Sequence, residues 1–181
     1  MRGEVLLVRH CESSGQEPDA PLTPRGRAQA VQLDRALRDC NLAGLISSPY
    51  RRARESASDL VERTGLGLTI DDRLREWETP WIPQEEWPDA LRPILGGAMR
   101  LPPGFESVEE ARARGAAAAR EALARDGVQL LLGHGKLIAL ILSELDGRDA
   151  FEQFVRLHNP HVFAVIASPA GVEARSLWHP A

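Results

Sequence analysis

The chain has 181 residues, 43% hydrophobic and 27% charged, the balance of one folded domain rather than of a disordered or fibrous chain. Its 22 basic and 26 acidic residues leave a net charge of −4, which argues against a broad nucleic-acid-binding or anionic-membrane surface. No apolar run nears the ~18 residues of a membrane helix, and the short apolar run in MRGEVLLVRH cannot form the core of a secretory leader, so a cytoplasmic protein is expected.

Residues 4–8, EVLLV, predict a short buried strand ending at Arg9-His10. A polar loop follows over residues 11–21. Thr23-Pro24 then reads as an N-cap and first helical position, opening a helix that reaches about Arg38 with Ala28, Val31, Leu33 and Leu37 on its apolar stripe. Leu45-Ile46 predicts a strand running into Ser47-Ser48-Pro49. One helix is expected over residues 50–63 and a third strand over residues 66–70.

Residues 77–104 differ in character, with Trp77, Trp81, Trp87 and six prolines between residues 76 and 104. They predict an irregular cap, with a short helix near residues 85–95. Ser107 and Glu110 form a capping-box pattern at the head of an Ala-rich helix over residues 107–125. Residues 128–132 are a nearly pure apolar strand. Gly133-His134-Gly135 and an apolar helix to Leu145 follow it, and strands over residues 161–167 and 172–177 close the chain. Strands alternating with helices predict an α/β fold, a three-layer α/β/α sandwich around a mostly parallel sheet, forming one domain over residues 1–181.

Ligand sites in such sheets collect at the carboxyl ends of strands. Two strands here end in His10 and His134, and a third runs into Ser47-Ser48-Pro49-Tyr50-Arg51-Arg52-Ala53. Imidazole can act as a nucleophile, and arginine holds phosphate oxygens in a bidentate fork. Two imidazoles and several guanidiniums converging on one sheet edge suggest phosphoryl transfer. Cys11 and Cys40 are too few for a disulfide framework and have no metal-ligand spacing. Cys11 also lacks the arginine six residues on that a cysteine-phosphatase loop needs, since position 17 is Glu17. It is read as a buried small residue.

An ordered set of motifs resembles the histidine phosphatase superfamily, also called the phosphoglycerate mutase-like family. The set comprises Arg9-His10-Cys11-Glu12, Leu22-Thr23-Pro24-Arg25-Gly26, Ser47-Ser48-Pro49-Tyr50-Arg51-Arg52-Ala53, Leu74-Arg75-Glu76, Phe105-Glu106-Ser107 and Gly133-His134-Gly135. The resemblance implies that His10 is a nucleophile forming a phosphohistidine. Arg9, Arg52 and His134 would surround the phosphoryl group, and Glu76 would be the general acid and base, with Glu78 as its competitor. It also implies a substrate-binding set of Gln16, Thr23, Gly135 and Lys136. No metal and no cofactor are expected, and the expected partner is a small phosphorylated molecule, not nucleic acid or membrane.

Two positions depart from the family pattern: Cys11 stands where glycine is usual, and Gln16 where many members have asparagine. The stretch between His10 and Leu22 is short and lacks the Gly-x-x-Asp element of the mutases, so a phosphatase is expected. Mutase-type transfer and a catalytically weak phospho-ligand binder remain the alternatives. The tryptophans are expected to wall the pocket rather than fill the sheet core. Lys136, the only lysine of the chain, is expected at the pocket mouth, assisting a substrate with a second anionic group. His158, His161 and His179 have no motif support and are read as structural or surface residues.

Overall fold

The structure, a computed structural model, describes residues 3–80, 82 and 86–180, with residues 87 and 88 described by their backbone alone. In chain order the elements are β1 (Glu4–Arg9), α1 (Pro24–Ala36), β2 (Leu42–Ser47), α2 (Arg51–Ser56), α3 (Ser58–Thr64), β3 (Leu68–Ile70) and α4 (Trp87–Leu95). The chain continues through α5 (Val108–Leu123), β4 (Val128–Gly133), α6 (Gly135–Asp146), α7 (Ala150–Val155), β5 (His161–Ser168) and β6 (Gly171–Trp178). A 3-10 turn, Asp72–Leu74, follows β3.

The strands form one six-stranded sheet in the order β3-β2-β4-β1-β5-β6. β1 to β4 are mutually parallel, while β5 runs antiparallel to β1 and forms an edge hairpin with β6. Side chains alternate across a strand, and both faces of this sheet are covered, which is why the strands read as continuous apolar runs. Val5, Leu7, Leu131 and Phe163 pack beneath α5 and α6. Leu6, Val8, Leu130 and Leu132 pack against α1 and α3 on the other face. The expected three layers are present.

The register of β1 on β4 pairs Arg9 with Gly133. The residues that follow, His10 and His134, therefore leave the sheet side by side at its carboxyl edge. A backbone hydrogen bond from His10 N to the Gly133 carbonyl, at 3.0 Å, continues the pairing one step beyond the strands.

Two elements differ from the sequence expectation. The helix expected over residues 50–63 is two helices meeting at Ala57. The Ser56 hydroxyl donates to the Arg52 carbonyl at 2.7 Å and the Ser58 hydroxyl to the Glu55 carbonyl at 2.8 Å, and such side-chain bonds compete with the helical ladder. The short α7 was not foreseen. Its signal is an N-cap alone, Asp149 accepting from Glu152 N at 2.8 Å, and six residues are too few to show a helical period.

The expected cap is less irregular than its proline content suggests. α4 carries Leu91, Ile94 and Leu95 into a third apolar cluster with Trp77, Val108, Leu140 and Phe151. This cluster is separate from the two beside the sheet. It fixes Trp77, fully buried, with its indole N–H donating to the Glu106 carbonyl at 2.9 Å. Trp81 lies outside the described residues, as does the side chain of Trp87.

Thr23 caps α1, its Oγ1 accepting from Gly26 N at 2.9 Å and donating to Glu12 at 2.7 Å. Gly26 has no side chain because the Glu12 carbonyl oxygen occupies the space its Cβ would fill. Replacing glycine by alanine in an open helix gains about 1 kcal/mol. Here the sign reverses: Gly26→Ala is expected to lower stability by about 1–3 kcal/mol through overpacking, read as a fall in the urea midpoint. An unchanged or raised midpoint would show that the loop bearing Glu12 can move aside.

Candidate active site

The loops after β1, β2 and β4 deliver His10, Arg52 and His134 to one point. His10 is buried, and its Nδ1 lies 2.6 Å from the Cys11 carbonyl. A carbonyl only accepts, so Nδ1 carries the proton and Nε2 keeps its lone pair. Arg52 Nε donates to that Nε2 at 3.2 Å. Burial, reinforced by the positive charges of Arg52 and Arg9, pushes the imidazole from 6.5 down to about 3, although the bond to the Cys11 carbonyl opposes the shift. His10 is thus a fixed, neutral tautomer. Its own carbonyl is held by the Asn159 side-chain amide at 2.7 Å.

Arg52 is fully buried. Besides His10 it donates through Nη1 to the carbonyls of Gln16 and Glu17, at 2.9 and 3.0 Å. The same guanidinium therefore ties down the polar loop over residues 11–21. Arg9 donates through Nη1 to the Leu157 carbonyl at 2.8 Å, and its Nε is buried with no partner. A Cβ on Gly135 would come within 3.3 Å of Arg9 Cζ and Nε, so glycine at the head of α6 lets the guanidinium lie against the helix start. Neither arginine has a carboxylate within 4.0 Å among the described residues.

His134 is fully buried, its ring centroid 5.1 Å from that of His10. Its Nε2 lies 2.7 Å from Ser48 Oγ, which already accepts from Tyr50 N at 3.2 Å. The other ring nitrogen, Nδ1, is buried and unpartnered, a polar atom open to a ligand. Burial, helped by the positive neighbourhood, holds His134 well below its ordinary value.

Glu76 follows the 3-10 turn. Its Oε1 accepts from Trp77 N at 2.9 Å and from Leu137 N, in the first turn of α6, at 3.2 Å. Its segment is braced from outside: Arg114 donates to the carbonyls of Arg73 and Arg75 at 2.7 and 2.9 Å and binds both oxygens of Glu106. Glu78 instead accepts from the Tyr50 hydroxyl at 2.8 Å and is exposed.

These groups border a cavity of about 410 Å³ whose wall includes Arg9, His10, Gln16, Glu76, Trp77 and Lys136. Arg52 and His134 are not part of that wall; both are fully buried, Arg52 bonded to His10 and His134 packed beside it. Ile82, Leu91, Phe105 and Phe154 add apolar surface to the wall. Of the three tryptophans expected there, Trp77 is in place. Of the expected substrate-binding set, Gln16 and Lys136 border the cavity whereas Thr23 and Gly135 do not; the Thr23 hydroxyl caps α1 and donates to Glu12. Cys11 packs among apolar side chains, and burial raises its thiol to about 12, so it is not a thiolate. Ser48, Tyr50 and Asn159 support the histidines and were not singled out from sequence; Ser48 and Tyr50 lie within a motif already noted, whereas Asn159 carries no local signal.

The profile described as histidine phosphatase superfamily (branch 1) matches residues 5–175. A Citrobacter koseri protein named "Probable phosphoglycerate mutase GpmB" is 30% identical over 175 residues, covering 86% of this chain and 81% of that one. Among solved structures, mycobacterial hydrolase 1 superposes with a TM-score of 0.77 at 25% identity, covering 97% of each chain. A mycobacterial glucosyl-3-phosphoglycerate phosphatase with inorganic phosphate gives 0.74 at 26% identity, covering 96% of this chain and 95% of the other.

The depressed basicity of His10 has a thermodynamic signature. Below pH 6.5 the unfolded imidazole takes up a proton that the folded one refuses until about pH 3. Stability is therefore fully present above pH 6.5 and falls as the pH drops towards 3, by about 1.4 kcal/mol per pH unit for each such histidine. Urea unfolding at pH 7.5, 6 and 5 should give a shallower loss for His10→Ala than for the wild type. Parallel losses would mean that folded His10 titrates normally.

Proposed function

The chain belongs to the histidine phosphatase superfamily, and within it we propose that this protein is a phosphatase, hydrolysing a small phosphomonoester through a phosphohistidine on His10. The observation that carries this reading is the state of His10. It is neutral, with Nδ1 committed to a carbonyl and the Nε2 lone pair beside a buried arginine that has no carboxylate within 4.0 Å among the described residues.

In the proposed reaction Nε2 attacks phosphorus as the bond to the leaving oxygen breaks. Arg52 shifts its Nε–H from the ring to a phosphoryl oxygen, Arg9 holds another, and the unpartnered Nδ1 of His134, protonated in this scheme, is the third donor. The arginines supply the positive clamp, so the step calls for no metal. Glu76 delivers a proton to the departing alkoxide. It then takes one from water, which attacks phosphorus, breaks the P–N bond and restores neutral His10. Because Oε1 is pinned by two backbone N–H groups, Oε2 is the oxygen assigned to the proton.

Hydrolysis is favoured over mutase chemistry because the cavity wall includes the exposed Gln16, Glu17, Pro18 and Glu78, which give water a route to the phosphoenzyme. The likeness to the named phosphoglycerate mutase keeps return of the phosphoryl group as the second reading.

Purified protein should hydrolyse p-nitrophenyl phosphate and form an acid-labile phosphoenzyme, and His10→Ala should abolish both. Glu76→Gln should slow turnover of an alkyl phosphate by roughly 10²–10⁴-fold, and that of nitrophenyl phosphate much less, since nitrophenolate leaves without a proton. Equal losses on both would remove Glu76 from the acid role. Absence of any turnover would leave a phospho-ligand binder.

A further inference from the structure

Lys136 is the second residue of α6 and borders the cavity with Arg9, His10 and Glu76. Its Nζ donates to Thr79 Oγ1 at 2.9 Å. An ammonium has three N–H donors, and a neutral hydroxyl takes only one. No carboxylate lies within 4.0 Å of Nζ among the described residues.

The acids that could neutralise it are held elsewhere. Glu76 Oε1 is pinned by Trp77 N and Leu137 N, and Glu78 Oε1 accepts from the Tyr50 hydroxyl. Burial weakens the hold of Lys136 on its proton, while Glu76 and Glu78 oppose that effect from a distance. Burial likewise raises the Tyr50 phenol to about 12, so Tyr50 stays protonated and keeps its grip on Glu78. Thr79 thus accepts from the ammonium and Tyr50 donates to one oxygen of Glu78, and the two charges form no ion pair within 4.0 Å among the described residues.

A cation in the first turn of a helix also faces the positive end of the helix dipole, an arrangement that an anion nearby relieves. Arg9 and Arg52 already match the charge of a phosphomonoester, so Lys136 is a surplus positive group. We propose that Lys136 is a specificity-determining residue that binds a second anionic group, a carboxylate or a second phosphate, on the substrate. The inference rests on the phosphomonoester reading of the same cavity.

The second anion sits close to the first. Lys136 borders the same cavity of about 410 Å³ as Arg9 and His10, so the two anion-binding points lie within one cavity's width of each other. Glu17 and Glu78, exposed in the cavity wall, repel negative charge placed further out. The fitting substrate is a compact phosphorylated acid or bisphosphate whose carbon part meets the apolar wall, rather than a long polyanion.

The test compares matched probes. The wild type should prefer phosphoglycolate over ethyl phosphate by about tenfold or more in kcat/KM, mainly through KM, the size of one charge-assisted contact. Lys136→Met, which keeps the apolar stem, should collapse that ratio to near one, and Lys136→Arg should retain most of it. No preference in the wild type, or an unchanged ratio in Lys136→Met, overturns the inference. Calorimetric binding of phosphonoacetate against ethylphosphonate needs no turnover and separates the two proposals. A wild-type preference lost in Lys136→Met upholds the second-anion site even if no ester is hydrolysed. Equal affinities of the wild type for the two phosphonates refute it even if hydrolysis is observed, and this arm does not depend on any variant folding.

Discussion

Two guanidiniums with no carboxylate within 4.0 Å among the described residues, Arg52 fully buried and Arg9 partly so, are the constraint around which this site is arranged. A charge out of water is costly unless it is paired or hydrogen-bonded. Arg52 is fully buried and spends itself on two carbonyls and one imidazole; Arg9 spends itself on the Leu157 carbonyl and leaves Nε unpartnered. Neutral dipoles offset part of the cost and leave positive charge in place. The same charge contributes to keeping His10 and His134 unprotonated. Electrostatic pre-organisation of this kind is worth most where water is scarce.

That charge is kept in place by distant parts of the chain. The carbonyls that receive Arg52 belong to the loop over residues 11–21, which is anchored through Thr23 and Glu12 to the head of α1. Asn159 and the Leu157 carbonyl, from the segment before β5, hold His10 and Arg9. Glu76 is set by α6 through Leu137 N, and its segment by Arg114 of α5. Every layer of the sandwich contributes a backbone or side-chain contact to the same few atoms. The site is therefore as rigid as the packing of the sheet on its helices.

The cavity is mixed in chemistry. Charged and hydrogen-bonding groups gather at the sheet edge, while α4 and α7 contribute the apolar Leu91 and Phe154 to the same cavity. The third apolar cluster, with Trp77 at its centre, is what lets a proline-rich segment hold a defined wall. The proposed specificity lies in this wall and in the charges around Lys136, rather than in the sheet.

The sequence by itself determined the sheet, its covering helices and which side chains stand at its edge. Apolar runs such as EVLLV and VQLLL, too short for a helix and rich in apolar residues throughout, read as strands buried on both faces, and histidines directly after them fall at the carboxyl edge. Capping signals at Thr23 and Ser107 placed two helix starts within a residue of where they lie. Only the tertiary structure decided the rest. The break at Ala57 arises from serine hydroxyls bonding back to carbonyls, an outcome invisible to periodicity. Thr23 reads equally as a ligand or a cap until the loop bearing Glu12 folds over it. Asn159 lies 149 residues from His10 in sequence, and no local pattern can pair them. The tautomer of His10 depends on which carbonyl meets Nδ1, and the unpaired state of Lys136 on where Tyr50 and Thr79 hold their partners. Composition and period encode local preference and burial, whereas a proton's position and a charge's isolation are set by contacts between segments that meet only when the chain has folded.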